Sequence, residues 1–177
     1  DVYKRQTVED EDVAVTTAEK LDDMTLVTFQ VKDAEGKPGE AEGILLQANL
    51  DLSTDEQGSV QGYLQPGTYY YYPEMEGNYL ASPATDLATF TASGKTTTVD
   101  YSFQDKGYKP VVFRTEGDVQ SGSLTISPVG MEYDEFYVNN IDFPYTVYMV
   151  DGLYKYVVEP GYNANTNFET AHGLVNT

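Results

Sequence analysis

The chain has 177 residues and a formal net charge of −19, because 29 Asp and Glu outnumber 10 Lys and Arg. Such an acidic chain repels phosphate backbones and anionic lipid, which argues against nucleic-acid and membrane-surface partners. It has no cysteine and a single histidine, His172, which excludes disulfides, thiolate metal sites and a catalytic triad. Hydrophobic residues make up 40% of the chain and include 16 Tyr and 7 Phe, a mixture that favours strands.

Residues 1–23 are predicted to be an acidic linker. Residues 1–6, DVYKRQ, resemble translated sequencing-adaptor readthrough, so we expect them to be artefactual. From Thr7 to Asp23 acidic side chains recur without a steady hydrophobic period, which indicates a solvated segment. Neither a signal peptide nor an apolar run of about 18 residues is present, so an exported protein is expected to carry this chain as an internal segment.

Alternating apolar residues predict a series of short strands from Met24 onwards. Val27, Phe29 and Val31 alternate with polar residues, which is the period-2 pattern of a half-buried strand. Further strands are predicted at residues 43–50, 59–64, 68–72, 88–92 and 96–103, with turns at 33–38, 55–58, 65–67 and 93–95. The last two turns are short enough to predict hairpins. Closely spaced strands without a helical period predict an antiparallel sandwich with no helix longer than about two turns.

The second half of the chain repeats this plan. The segment VQGYLQPGTYYYYPEMEGNY at 60–79 aligns with VYMVDGLYKYVVEPGY at 147–162, which matches Val60 with Val147. Upstream, VTFQV and GILL match VVFRT at 111–115 and SLTI at 123–126. A repeat of this size predicts two tandem modules, at 24–105 and 108–177, joined at Asp105-Lys106-Gly107. The second module has few residues after the aligned segment and is expected to be truncated.

The aligned turns carry the same motif, a glycine followed by alternating tyrosines. Gly67 matches Gly152, and Tyr69 matches Tyr154. Because every second residue of a strand points to the same face, we expect the first tyrosine after each turn to point into its sandwich.

Four motifs carry a family resemblance: V-x-F-x-V-x-D-x-x-G-K-P, T-D-E-x-G-x-V, L-x-P-G-T-Y-x-Y and F-x-x-x-G-K-T-T-T-V. They resemble the transthyretin-like modules of bacterial surface proteins, namely carboxypeptidase regulatory-like domains and the B-type repeats of collagen adhesins. The resemblance covers residues 24–103 well and 108–165 more loosely. It implies a fold of Greek-key, prealbumin-like β-sandwiches, used as a stalk or spacer at the outside of the cell.

Some B-type repeats contain an internal crosslink between a Lys and an Asn or Asp, assisted by a buried Glu. The resemblance maps the Lys position onto Val31, the Glu position onto Pro73 and the acceptor close to Asp100. The nearby Lys32 and Glu74 are each one residue off, so their side chains are expected to point to the opposite face. We therefore predict that no crosslink forms.

An aromatic surface is the leading candidate binding site. Alternation points Tyr69 and Tyr71 inward and leaves Tyr63, Tyr70 and Tyr72 on the outer face. The predicted hairpin would bring Tyr63 beside Tyr70. Flat aromatic patches can stack on sugar rings or on another protein. This surface gives the alternative function, an adhesion module that binds glycan or a host or cell-wall protein.

The segment MEYDEFYVNNIDF at 131–143 is predicted to be a long loop. Its oxygen-bearing side chains could ligate calcium, although their spacing matches no recognised motif: Asp134, Glu135, Asn139, Asn140 and Asp142. Other paired carboxylates are expected to be solvated, because small modules with short loops offer little cleft for acid–base chemistry. We thus predict no catalytic residue, no cofactor and no metal. The leading function is a non-catalytic stalk whose partners are neighbouring domains of the same longer protein.

Overall fold

The computed structural model of the chain describes residues 22–46, 52–116, 120–131, 135–161 and 171–177. The described strands are β1 (Thr25–Lys32), β2 (Ala41–Leu46), β3 (Ser59–Leu64), β4 (Gly67–Met75), β5 (Ala88–Ala92), β6 (Thr96–Ser102), β7 (Lys109–Phe113), β8 (Ser121–Pro128), β9 (Phe136–Asp142), β10 (Tyr145–Met149), β11 (Leu153–Pro160) and β12 (Ala171–Asn176). One helical turn, α1 (Pro83–Asp86), lies between β4 and β5. The all-β prediction is confirmed, whereas all but the end of the predicted linker 1–23 lies outside the described residues.

The chain divides into two compact units. Unit 1 consists of Asp1–Val31, Pro38–Glu74 and Leu87–Tyr101. Unit 2 consists of Lys32–Lys37, Met75–Asp86 and Ser102–Thr177. This division differs from the predicted single junction at residues 105–107, because two segments that connect strands of unit 1 cluster with unit 2.

Unit 1 contains two sheets, ordered β3-β1-β6 and β2-β4-β5. The inner faces of these sheets meet in an aromatic core, where the ring of Phe29 lies 5.6 Å from Tyr71 and 5.3 Å from Phe90. Val27, Phe29 and Val31 are buried, as their alternation predicts. Large aromatic side chains bury much apolar area in a small volume, which helps a module of this size to form a core.

The two predicted hairpins of unit 1 are wrong. Residues 65–67 join β3 to β4 and residues 93–95 join β5 to β6, and in both cases the two strands belong to different sheets. The second connection is held against β1, since Thr25 Oγ1 donates to the Gly94 carbonyl at 2.8 Å and Leu26 N donates to the Lys95 carbonyl at 2.9 Å. Strands β3 and β6 both pair with β1, whereas β4 and β5 pair with each other in the second sheet. Both connections are therefore arches that cross the core from one sheet to the other.

Unit 2 contains the sheets β10-β7 and β12-β11-β8-β9. Its pairings reproduce those of unit 1, with β7, β8, β10, β11 and β12 in the places of β1, β2, β3, β4 and β5. The buried residues of its core are Leu80, Phe113, Leu124, Ile126, Ile141, Val147, Met149 and Tyr154. The ring of Phe113 lies 5.7 Å from Tyr156, which matches the contact of Phe29 with Tyr71 in unit 1.

The glycine-tyrosine turns correspond as predicted. Tyr69 Oη donates to the Gln65 carbonyl at 2.6 Å, and Tyr154 Oη donates to the Val150 carbonyl at 3.0 Å, each four residues back along the chain. In each unit this bond connects the strand that follows the arch to the first residue of the arch. Tyr154 is buried and Tyr69 is half-buried.

Strand pairing corrects the alignment further upstream. Gly62 lies opposite Val27 in β1, and Val147 lies opposite Val111 in β7. Val147 therefore corresponds to Gly62 and not to Val60. The sequence alignment placed Val60 on Val147 because two identical valines match better than Gly62 and Val147 do.

The predicted loop at 131–143 is also wrong over most of its length. Residues 136–142 form β9, which pairs with β8 at the edge of the four-stranded sheet. The register shifts between Gly122 and Leu124, and Asn140 has a φ of 54°, a left-handed conformation that Asn tolerates. This bulge resets the alternation, so Ile141 is buried after Val138. Two consecutive polar residues, Asn139 and Asn140, interrupt the alternation of apolar and polar residues, so the period-2 pattern did not predict this strand.

Candidate functional site

The three tyrosines of the predicted binding surface do not form one patch. Tyr63 is 45% exposed on β3, and Tyr70 is 52% exposed on β4. Because β3 and β4 belong to different sheets of one sandwich, their outward side chains lie on opposite outer faces. Tyr72 shares the face of Tyr70 and is half-buried. The expected contact of Tyr63 with Tyr70 is therefore wrong.

A smaller surface remains on the outer face of β4. Tyr70 lies opposite Thr89 of β5, two residues from Tyr72 along its own strand. Thr68 and Thr91 lie opposite each other and their hydroxyl oxygens are 3.0 Å apart. The face thus presents phenol rings beside aliphatic hydroxyls, which are groups that can stack on and hydrogen-bond a polar ring.

A second aromatic cluster, in unit 2, was not predicted. The ring of Tyr79 lies 4.8 Å from Tyr148 in a stacked arrangement, 5.1 Å from Phe103 and 5.6 Å from Tyr108. Phe103 and Tyr108 also contact each other edge to face, at 5.1 Å. Aromatic pairs at these separations stabilise a fold beyond the area that they bury.

Backbone pairing holds this cluster in place. Tyr148 N donates to the Asn78 carbonyl at 2.7 Å, and Leu80 N donates to the Tyr148 carbonyl at 3.0 Å. The side-chain amide of Asn78 adds a bond to the Thr146 carbonyl at 2.6 Å. Residues 78–80 thereby extend the sheet along β10. The pairing spans about 70 residues of chain, so no local sequence pattern could have indicated it.

Polar groups border the cluster. Tyr148 Oη donates to Glu35 Oε1 at 3.0 Å, the Ala34 amide donates to Tyr79 Oη at 3.0 Å, and Lys37 Nζ lies 2.5 Å from Glu35 Oε2. The hydrogen bond from Lys37, followed by that from Tyr148, lowers the pKa of Glu35. Burial raises the pKa of Tyr79 to about 12. Both pKa shifts favour the forms that the two groups have at neutral pH, and the hydrogen bonds hold the turn at residues 33–37 beside the cluster.

Among the described residues of unit 2, Asp86 has a buried carboxylate, with 4% of its surface exposed. Its oxygens accept from Tyr108 Oη at 2.8 and 2.9 Å and from the Ser82 amide at 2.7 Å. Burial raises the pKa of Asp86, and the bonds from Ser82 and Tyr108 oppose that shift. Because its bonds close helical turn α1 onto Tyr108, the carboxylate has a structural role. Across the described ranges, no three acidic or histidine side chains come together as a cation site.

The calcium ligands proposed for residues 131–143 are not brought together by a loop. Asn139, Asn140 and Asp142 lie on β9, with exposed side chains, while Asp134 lies outside the described residues. In an extended strand, alternate side chains point to opposite faces, which separates ligands that a loop could gather.

The residues that would form or assist a crosslink lie on the strand faces that the alternation predicts. Val31 and Pro73 are buried, whereas Lys32, Glu74 and Asp100 are exposed. The lysine and the glutamate therefore stand outside the core of the sandwich, where a water-excluded condensation is disfavoured. That no crosslink forms stays a prediction.

No protein-family model and no curated protein matches the chain. Among solved structures, it is similar to a streptococcal ancillary pilin at 14% identity and a TM-score of 0.42, over 88% of this chain and 59% of that one. It is also similar to the Bacillus anthracis TIE protein at 13% identity and a TM-score of 0.37, over 85% of this chain and 31% of that one. A DUF3823 family protein from Bacteroides ovatus aligns at 12% identity and a TM-score of 0.38, over 85% and 95% of the two chains.

The chain spans less than two thirds of the first two of these structures. At such identities and TM-scores, the similarities assign the chain to no family and carry no function to it. Within the described part of the chain, no helix is long and apolar enough to cross a membrane.

Proposed function

We propose that this chain is a non-catalytic structural segment, a stalk or spacer, of a secreted or cell-surface bacterial protein. The observation that carries the proposal is the repetition of one strand plan, with the same glycine-tyrosine arch in each unit. Repeating a self-supporting sandwich lengthens a protein without building a new cleft. Its partners in this role are neighbouring domains of the same longer protein.

The acidic residues of two turns support the structural role. Asp33 Oδ1 accepts from the amides of Glu35 and Lys37, both at 2.8 Å. Asp55 Oδ1 accepts in the same pattern from the amides of Gln57 at 3.0 Å and Ser59 at 2.8 Å. Both carboxylates therefore bind their own backbone and stabilise the D-x-x-G turns. These turns are part of the motifs on which we assign the modules to the transthyretin-like type.

Single-molecule pulling from the two chain ends tests the stalk. Each unit is expected to unfold in its own force event and to release about 3.3–3.6 Å per residue unfolded. Tyr154→Ala should lower the force of one event and leave the other unchanged, because Tyr154 belongs to the core of unit 2. A smooth extension without force events would show that the sandwiches bear no load and would overturn the proposal.

The alternative function, glycan or protein adhesion, is favoured by one observation. Tyr70 is 52% exposed on a sheet face that it shares with Tyr72. Binding to a panel of bacterial and host glycans should then be lost in Tyr70→Ala and retained in Tyr63→Ala. Tyr63 is a matched control, because it is 45% exposed on the opposite outer face of the same sandwich. Saturable binding with this pattern would replace the stalk proposal.

A further inference from the structure

The bulge of β9 holds two consecutive asparagines outside the strand pairing. The pairing of β9 with β8 includes Val138 and Ile141, whereas Asn139 and Asn140 between them have no partner in the described register. Both asparagines are exposed, and β9 is the last strand in the order β12-β11-β8-β9. A β-bulge leaves its extra residue out of the ladder of backbone hydrogen bonds. The peptide group between the two asparagines is therefore accessible to water.

The side chain of Asn139 contacts the peptide group that follows it. Asn140 N donates to Asn139 Oδ1 at 2.8 Å. A carbonyl carbon lies about 1.23 Å from its oxygen, so Asn139 Cγ is within about 4.0 Å of that nitrogen. The left-handed conformation of Asn140, with a φ of 54°, orients this peptide group. A nucleophile held beside a carbonyl carbon is the arrangement from which an intramolecular addition starts.

Two other asparagines of unit 2 lack this arrangement. Asn78 is half-buried, and its Nδ2 donates to the Thr146 carbonyl at 2.6 Å. The amide that follows Asn176 is Thr177 N, which donates to the Gly152 carbonyl at 3.1 Å. In each case a group that the addition would have to move is already bonded elsewhere. Asn78 and Asn176 therefore serve as internal references.

We propose that Asn139 is a site of non-enzymatic modification, where attack by the Asn140 backbone nitrogen converts its carboxamide to aspartate and isoaspartate. The nitrogen loses its proton to solvent and bonds to Asn139 Cγ. The C–N bond of the carboxamide breaks, and the leaving nitrogen takes up a proton and departs as ammonia. Water then opens the five-membered imide. Cleavage at Cγ gives aspartate, and cleavage at the main-chain carbonyl gives isoaspartate. This inference does not depend on the stalk proposal.

Isoaspartate changes the strand in which it forms. Its main chain passes through Cγ, which adds one carbon to β9 inside the bulge. Ile141, which follows the bulge, is 7% exposed in the core of unit 2, and Val138 packs against the same core. A longer connection between these residues disturbs the register that points both side chains inward. The isoaspartate form should therefore loosen β9 from β8, whereas aspartate adds only an exposed negative charge.

Ageing of the full chain at mildly alkaline pH tests the proposal. Peptide mapping by mass spectrometry with electron-transfer fragmentation measures aspartate and isoaspartate at each asparagine. Asn139 should convert on the order of tenfold faster than Asn78 and Asn176, with a rate that is first order in hydroxide. The same chain unfolded in urea is the control, where this ratio should fall because the 2.8 Å contact is lost. Equal conversion of the three asparagines in the folded chain, or an unchanged ratio in urea, would overturn the inference.

Two substitutions of Asn140 separate the fold from the local sequence. Asn140→Gly keeps the positive φ without steric cost, and Asn140→Val opposes it, because a β-branched residue is an outlier there. Asn139 should convert faster in the first variant than in the second, and the ratio should be larger in the folded chain than in urea. Hydrogen exchange of the β11 amides shows that unit 2 is folded. Equal ratios under the two conditions would mean that the fold does not promote the reaction.

The structural consequence is tested with the aged protein. Ion exchange separates the modified chains, and Asn139→Asp provides the added charge without the added carbon. The β9 amides of the isoaspartate fraction should exchange faster than those of Asn139→Asp, which should match the unmodified chain. If the wild-type ageing succeeds and these exchange rates are all equal, the modification stands and its effect on β9 is refuted.

Discussion

Replacing Gly58 by alanine tests whether close backbone packing at the D-x-x-G turn holds unit 1 together. Gly58 has a φ of 70°, which side chains other than glycine rarely adopt. A methyl group here would stand 2.3 Å from the Val31 carbonyl oxygen and 2.9 Å from the Gly39 nitrogen. Both neighbours are backbone atoms, so neither can turn away as a flexible side chain would.

The magnitude follows from two costs. The left-handed conformation costs alanine about 1–2 kcal/mol. Moving the backbone apart weakens two hydrogen bonds, Val31 N to the Gly58 carbonyl at 2.7 Å and Gly39 N to the Val31 carbonyl at 2.9 Å. Each bond contributes about 0.5–1.5 kcal/mol, so the free energy of unfolding should fall by roughly 2–5 kcal/mol in total.

Gly94→Ala is the matched control. Gly94 has a φ of 67°, and an added methyl group would meet nothing within 4 Å. Its substitution should therefore cost only the conformational part, about 1–2 kcal/mol. Urea unfolding of unit 1, followed by circular dichroism, measures both values, and exchange of the Val31 amide reports the local bond. Equal costs for the two variants would refute the packing argument.

Three further outcomes are expected. Tyr154→Ala should lower the unfolding free energy by about 3–5 kcal/mol and Tyr69→Ala by less, because Tyr154 is 5% exposed whereas Tyr69 is half-buried; equal losses in thermal melts would contradict this. Burial raises the pKa of Tyr71 from 10.0 to about 12, so its contribution to stability is complete below pH 10 and is lost towards pH 12. Titration of the tyrosines followed by ultraviolet absorbance measures the raised pKa of Tyr71. Intact-mass measurement should show no loss of water or ammonia, since Lys32 points outward.

The local sequence was sufficient to predict which face the residues take in the regularly alternating strands β1 and β4. Val31 and Lys32 are adjacent and differ in burial as predicted, and so do Pro73 and Glu74. The reason is geometric, because a strand turns successive side chains to opposite sides whatever its partner. The D-x-x-G turn at Asp55 was equally predictable, since its carboxylate bonds the backbone two and four residues ahead.

Which strands pair was not predictable from the same patterns. Residues 65–67 look like a hairpin, yet they lead from β3 in one sheet to β4 in the other. As a result Tyr63 and Tyr70 are separated, and the predicted binding surface is reduced to Tyr70 and Tyr72. Likewise, Tyr79 meets Tyr148 through a bridge between segments distant in the chain. Alternation is a property of one strand, whereas pairing depends on the burial that all strands achieve together.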